Sequence, residues 1–149
     1  MQRIALSLGI LLVCLAQAFG QVPGADPAGR YAKTDVMIAM RDGVRLNTAI
    51  YAPKDMKEPL PIIFMRTPYG IANAAGNFRA YLKEMAEEGY VFAFQDIRRR
   101  FSSEGQFVMS RPPRDKSDTK AVDESTDTFD SIEWMIKNVP DNNGRVGML

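Results

Sequence analysis

Leu60-Pro61-Ile62-Ile63-Phe64-Met65 runs into Arg66-Thr67-Pro68-Tyr69-Gly70. The first six residues are apolar without alternation, the pattern of a strand covered on both faces. The next five close it as a turn, with Pro68 and Gly70 as breakers. Downstream, Phe78, Tyr81, Leu82 and Met85 recur at helical spacing and predict a helix over 78–88, with Asn77 as its N-cap and Gly89 just past its end. Residues 90–94 form a second buried strand, and Gln95-Asp96-Ile97-Arg98 sits at its carboxyl end. Residues 101–109 read as a loop or small hairpin, and 111–120 as a polar connection. A second helix over 126–139 carries Phe129, Ile132, Met135, Ile136 and Val139 on one stripe. Its Asp127, Asp130 and Glu133 read as a solvated face matched to the helix dipole. Pro140-Asp141-Asn142-Asn143-Gly144 ends that helix, and an apolar strand begins at Arg145.

Upstream, residues 36–40 and 44–51 are strands joined by Arg41-Asp42-Gly43, a hairpin signal. Val44, Leu46, Thr48 and Ile50 share one face of the second strand. The order hairpin, strand, helix, strand, helix, strand implies right-handed crossovers and a mainly parallel sheet with flanking helices. No Gly-x-Gly-x-x-Gly or Walker-type loop supports nucleotide binding.

Composition narrows the chemistry. The 149 residues include 19 Lys and Arg, 18 Asp and Glu, one Cys and no His. A net charge of +1 argues against a nucleic-acid partner bound by phosphate neutralisation. Arg98-Arg99-Arg100 is too small an exception and reads as solvated loop positions. Without His, the chain cannot contain a Ser-His-Asp or Cys-His centre or a His-ligated zinc site. Neither a metal nor a cofactor is expected.

Residues 1–20 read as a secretory signal: Arg3, an uncharged apolar run over 4–15, then Ala16, Ala18 and Gly20. The apolar core is shorter than the roughly 20 residues that span a bilayer, so no stable membrane anchor is expected. Cys14 lies inside that run, and Val13 stands where a lipoprotein-type cysteine would need a small residue. Residues 21–30, with Pro23, Gly24, Pro27 and Gly29, read as a flexible lead-in. The expectation is an exported chain, periplasmic or extracellular, whose domain occupies 31–149. After removal of the signal the charges balance at 18 and 18, and no Cys remains for a disulfide.

Five blocks occur in order: Met40-Arg41-Asp42-Gly43-Val44-Arg45-Leu46; Arg66-Thr67-Pro68-Tyr69; Gln95-Asp96-Ile97-Arg98; Asp123-Glu124 with Asp127 and Trp134; and Asn143-Gly144-Arg145-Val146-Gly147-Met148. Together they resemble the N-terminal part of the superfamily of X-prolyl dipeptidyl peptidases, cocaine esterase, glutaryl acylases and α-amino acid ester hydrolases. Val108-Met109-Ser110-Arg111-Pro112-Pro113 leans toward the α-amino acid ester hydrolase branch. The resemblance implies the N-terminal half of an α/β-hydrolase fold and a serine hydrolase acting on small-molecule esters or peptides. It implies that the strand from Arg145 leads into a Gly-x-Ser-Tyr-x-Gly elbow, about three residues before whose Ser this sequence stops. The acid and the His follow later in such enzymes. On that reading the chain is an incomplete, inactive front portion.

The resemblance also assigns Tyr69 as an oxyanion-hole hydroxyl. By residue type alone Tyr69 reads rather as a ring packed over a strand end with its hydroxyl in water, and the resemblance reverses that preference. Asp96 and Arg98 are supporting candidates, with Arg98 paired to Asp96, Glu104 or Asp123. The family pattern prefers Gly where Arg99 stands. The competing reading is a non-catalytic exported binding domain, complete as written; the missing His favours it, and an apolar final strand without sheet neighbours opposes it.

Overall fold

The computed structural model describes residues 27–109 and 111–149. The expected signal over 1–20, residues 21–26 of the lead-in, and Ser110 lie outside the described residues. The last four lead-in residues form a 3-10 turn, Pro27–Arg30. It is tied down: Arg30 donates to the Ala86 carbonyl at 2.7 Å, and the Lys54 amide donates to the Arg30 carbonyl at 2.9 Å.

Five strands follow: β1 (Tyr31–Ala39), β2 (Arg45–Pro53), β3 (Leu60–Thr67), β4 (Val91–Asp96) and β5 (Asn142–Met148). They build one sheet in the order β1-β2-β4-β3-β5. β1 pairs with β2, and β2 with β4, antiparallel. β3 pairs with β4 and with β5, parallel. The sheet is therefore mixed, with the hairpin stitched to a parallel trio through β4. β1 is longer than expected, because Tyr31 is buried although Ala32 to Asp35 show no apolar alternation.

Every residue of β4 is buried. Phe92 and Phe94 point to one face, and Val91 and Ala93 to the other. On the first face Phe78 packs among Tyr31, Tyr51, Phe92 and Phe94, with ring centroids 4.9, 5.2, 4.9 and 6.1 Å away. On the second, Met135 of helix α2 (Glu124–Asn138) and Val139 just past its end cover Ile38, Leu46, Ile50, Ile62 and Phe64. The result is three layers, as a sheet buried on both sides requires.

The helix expected over 78–88 is divided. A 3-10 segment, Ala74–Arg79, precedes a short α1 (Lys83–Glu88). Asn77 caps nothing; its carbonyl accepts from the Ala80 and Leu82 amides inside the break. Tyr81, expected on the apolar stripe, is 62% exposed. Phe78 enters the aromatic cluster from the 3-10 segment and Leu82 enters the same core after the break, so packing overrides helical periodicity. Gly89 ends α1 with φ of 95°, the left-handed conformation that Gly adopts freely. α2 starts earlier than expected because Asp123 caps it: its carboxylate accepts from the Thr126 amide, and the Thr126 hydroxyl accepts from the Asp123 amide. Among the described residues no helix is long and apolar enough to cross a membrane.

Candidate active site

Parallel strands present their carboxyl ends together, and in α/β sheets that end holds the site. β3 delivers Pro68, Tyr69 and Gly70 to this end, and β4 delivers Asp96 to Arg100. The Tyr69 side chain stands out from the turn, 85% exposed. Its backbone is held from both sides: the Tyr69 amide donates to Thr67 Oγ1 at 3.1 Å, and the Pro68 carbonyl accepts from Arg100 Nε at 2.8 Å.

The loop from Ile97 to Phe107 wraps this turn. Arg99 has φ of 54° and Phe101 of 49°, left-handed conformations that cost a non-glycine residue about 1 kcal/mol or more. Glycine adopts this conformation freely, so it is the residue that would suit position 99 without strain. The Arg99 amide still donates to the Glu104 carbonyl at 2.9 Å, which keeps the turn closed. Phe101 lies over Gly70; a Cβ built on Gly70 would stand 2.9 to 3.1 Å from the Phe101 ring. Pro68, Tyr69, Ile97, Arg100, Phe107, Val108, Met109, Arg111 and Glu124 line a groove of about 460 Å³ beside the turn.

Asp96 closes β4 and is 1% exposed. Its Oδ2 accepts from Asn47 Nδ2 at 3.0 Å. The Ser102 and Ile71 amides face the carboxylate, yet Oδ1 has no partner in hydrogen-bond geometry. Burial pushes its carboxyl above the ordinary value, against the pull of Asn47. Its carbonyl accepts from the Ser103 hydroxyl at 2.7 Å, and Ser103 Oγ accepts from the Asn47 amide at 2.8 Å. Asp96 thus joins β2, the segment after Tyr69 and the loop after β4.

Arg98 does not pair with Asp96, Glu104 or Asp123, which corrects the sequence expectation. Its Nε and Nη2 donate to Asp127 at 2.6 and 2.8 Å, and its Nη1 and Nη2 to Asp42 at 2.8 and 2.9 Å. Glu104 is taken by Arg45, and Asp123 by the helix cap. The solvated-face reading fails for two acids of α2. Asp127 is fully buried, and Asp130 forms a pair with Arg41 at 2.6 Å. Glu133 stays exposed in a pair with Lys137. Of the three consecutive arginines only Arg99 is exposed; Arg98 is buried and Arg100 half-buried.

Sequence reading also missed Arg66. Its guanidinium is buried at the end of β3 and donates to Gln95 Oε1 at 2.9 Å, and to the Glu124 carbonyl, Glu124 Oε2 and Thr128 Oγ1 at 3.0 Å each. Nη2 lies 3.6 Å from Asp127 without a hydrogen bond. Burial lowers the Arg66 pKa, opposed by Glu124 and Asp127. Arg66, Asp127, Arg98 and Asp42 therefore form one chain of alternating charge beneath the candidate site. The signal was in the sequence, because four of the five blocks quoted above each contain one of these residues. Periodicity does not show which charges are buried. Among the described residues no three or more His, Cys, Asp or Glu gather as a metal site would need.

The profile of the X-Pro dipeptidyl-peptidase (S15) family matches residues 42–149. The chain belongs to that family. Cocaine esterase of Rhodococcus sp. (strain MB1 Bresler) is 33% identical over 123 residues, which make up 80% of this chain and 19% of the esterase. An aminopeptidase from a marine sediment Thaumarchaeota archaeon superposes with a TM-score of 0.71 at 36% identity, over 80% of this chain and 21% of its own. An α-amino acid ester hydrolase superposes with a TM-score of 0.69 at 37% identity, over 89% of this chain and 24% of its own. This S15 chain spans about a fifth to a quarter of the length of these relatives.

Proposed function

We propose that this chain supplies the front of the sheet and one oxyanion donor, Tyr69, to a serine hydrolase acting on esters or amides of small acyl groups. One observation carries the reading. β5 lies parallel to β3, with Met148 paired to Phe64 and the Leu149 amide 3.3 Å from the Phe64 carbonyl, so β5 heads for the end of the sheet where Tyr69 stands. In the resembling enzymes the strand matching β5 leads into the nucleophile elbow. There the Ser oxygen adds to the substrate carbonyl carbon and its proton passes to the His. The carbonyl oxygen becomes an alkoxide held by the Tyr hydroxyl and a backbone N–H. Collapse breaks the bond to the alcohol or amine, which leaves with the proton from His, and water repeats the cycle on the acyl-enzyme. The phenol suits this duty as a neutral donor near pH 7. With no His among its residues, the chain by itself is expected to turn over no substrate.

The test is a hybrid in which residues 31–149 replace the matching segment of an α-amino acid ester hydrolase. The hybrid should hydrolyse an activated ester, and Tyr69→Phe should lower kcat by about 10²- to 10³-fold, the usual loss of one oxyanion donor. A folded hybrid whose kcat ignores Tyr69→Phe overturns the assignment. Turnover by the 149-residue chain alone overturns the division of labour. Export through residues 1–20 belongs to the same proposal and is supported by the sequence pattern alone. Fusion of 1–30 to a reporter active only outside the cytoplasm checks it; a silent reporter defeats it.

A further inference from the structure

We propose that Arg100 is a positioning residue that aims the Tyr69 hydroxyl; this rests on the oxyanion role argued above. A peptide unit is planar, so fixing its oxygen and its nitrogen fixes the whole plane. In the Pro68–Tyr69 peptide both are fixed: the oxygen by Arg100 Nε at 2.8 Å and the nitrogen by Thr67 Oγ1 at 3.1 Å. The next residue, Gly70, is backed by the Phe101 ring. Tyr69 is thereby an exposed side chain on an immobilised backbone, so the direction in which it leaves the turn is set before substrate arrives.

Arg100 is itself well held. Its amide donates to the Ile97 carbonyl and its carbonyl accepts from the Ser103 amide, both at 3.0 Å. Its guanidinium carbon lies 5.6 Å from the Phe101 ring centroid and 5.3 Å from that of Phe107, within cation–π reach of both. The lone pair of the Pro68 carbonyl thus meets a donor whose direction is set before substrate arrives. The left-handed Arg99 and Phe101 flank it on either side, so the strained stretch of the loop brackets Arg100.

Two variants test this in the full chain labelled with ¹⁵N. Arg100→Met keeps the apolar stem and removes the donor; Arg100→Lys keeps a charged donor. The Met variant should shift the Tyr69 and Gly70 amide resonances and speed their hydrogen exchange. The β4 amides should stay unchanged, Tm should fall only by the several degrees that one lost hydrogen bond costs, and the Lys variant should fall between. Unmoved Tyr69 and Gly70 resonances in a folded Met variant overturn the proposal. Should the Met variant not fold, Phe107→Leu removes one ring from the guanidinium and should shift the same two amides to a smaller extent; no shift there overturns it too. In the hybrid enzyme, Arg100→Met should lower kcat by about 10- to 100-fold through misplacement of the donor, with KM held within about twofold. Partial rescue by Lys supports the role. A raised KM with unchanged kcat would place Arg100 against the substrate instead and overturn it. A folded parent hybrid whose kcat ignores Tyr69→Phe defeats the oxyanion assignment, while the amide resonances still decide whether Arg100 holds Tyr69.

Discussion

Arg98→Met removes the cation at the centre of the buried charge chain. Arg98 is 3% exposed and makes four short bonds to two carboxylates, one of which, Asp127, is fully buried. The variant leaves Asp127 as a buried anion whose remaining cation is Arg66, 3.6 Å away without a hydrogen bond. Removing one member of a buried pair costs about 3–5 kcal/mol. The nearby Arg66 places this case at the low end, about 3 kcal/mol. Asp42→Asn is the control. Asp42 is 24% exposed in its side chain, and its loss leaves Arg98 paired with Asp127, so about 1 kcal/mol is expected after solvent screening. In urea, with m on the order of 1.5 kcal/mol/M, Arg98→Met should lower the midpoint by about 2 M and Asp42→Asn by less than about 1 M. Replacing the pair by Arg98→Met with Asp127→Leu should recover at least about 1 kcal/mol over the sum of the single losses. An Arg98→Met midpoint no lower than that of Asp42→Asn would refute the assignment of the centre to Arg98.

Phe78→Ala empties the aromatic cluster and should cost about 3–5 kcal/mol in the same unfolding assay. Asp123→Ala should cost about 1 kcal/mol near pH 7 as a lost helix cap. The Arg114 and Thr126 amides and the Ser125 hydroxyl hold the Asp123 carboxyl well below the usual carboxylate range. Its contribution is therefore present above the unfolded value near 3.9 and lost as pH falls toward the folded one, so wild type and variant should converge in acid midpoints. Asp96 carries the opposite sign. Burial raises its pKa, so the wild type should lose stability as pH rises from about 4 through the folded value. Asp96→Asn should lack that decline, as read from urea midpoints across pH.

How much of this was legible in the sequence depends on the kind of signal. The unbroken run at Leu60 to Met65 identified a doubly covered strand, and alternation placed Leu46, Thr48 and Ile50 on the face toward α2. Both signals are periods, and periods survive in the sequence. The break between Ala74–Arg79 and Lys83–Glu88 was invisible, because Phe78 and Leu82 also fit a continuous helix; the four surrounding rings decide it. The site divides in the same way. Tyr69 was singled out by the family resemblance, and Asp96 by its place at a strand end. The partners of Arg98 were not, because Asp42 and Asp127 lie 56 and 29 residues away and only the packed fold shows that Asp127 is buried. Arg66 and Arg100 were passed over as turn and loop charges, although Arg66 ties β3 to Glu124 and Thr128 of α2 and Arg100 holds the Pro68 carbonyl beside Tyr69.

The strand order has a consequence for synthesis on the ribosome. β3 leaves the exit tunnel before either of its sheet neighbours, β4 and β5, has emerged. At roughly 5–20 residues per second, its naked apolar edge waits on the order of seconds for β4 to slot between it and the waiting hairpin. Within the parallel trio, Leu60 to Met65 is the first stretch that nascent-chain quality control would meet.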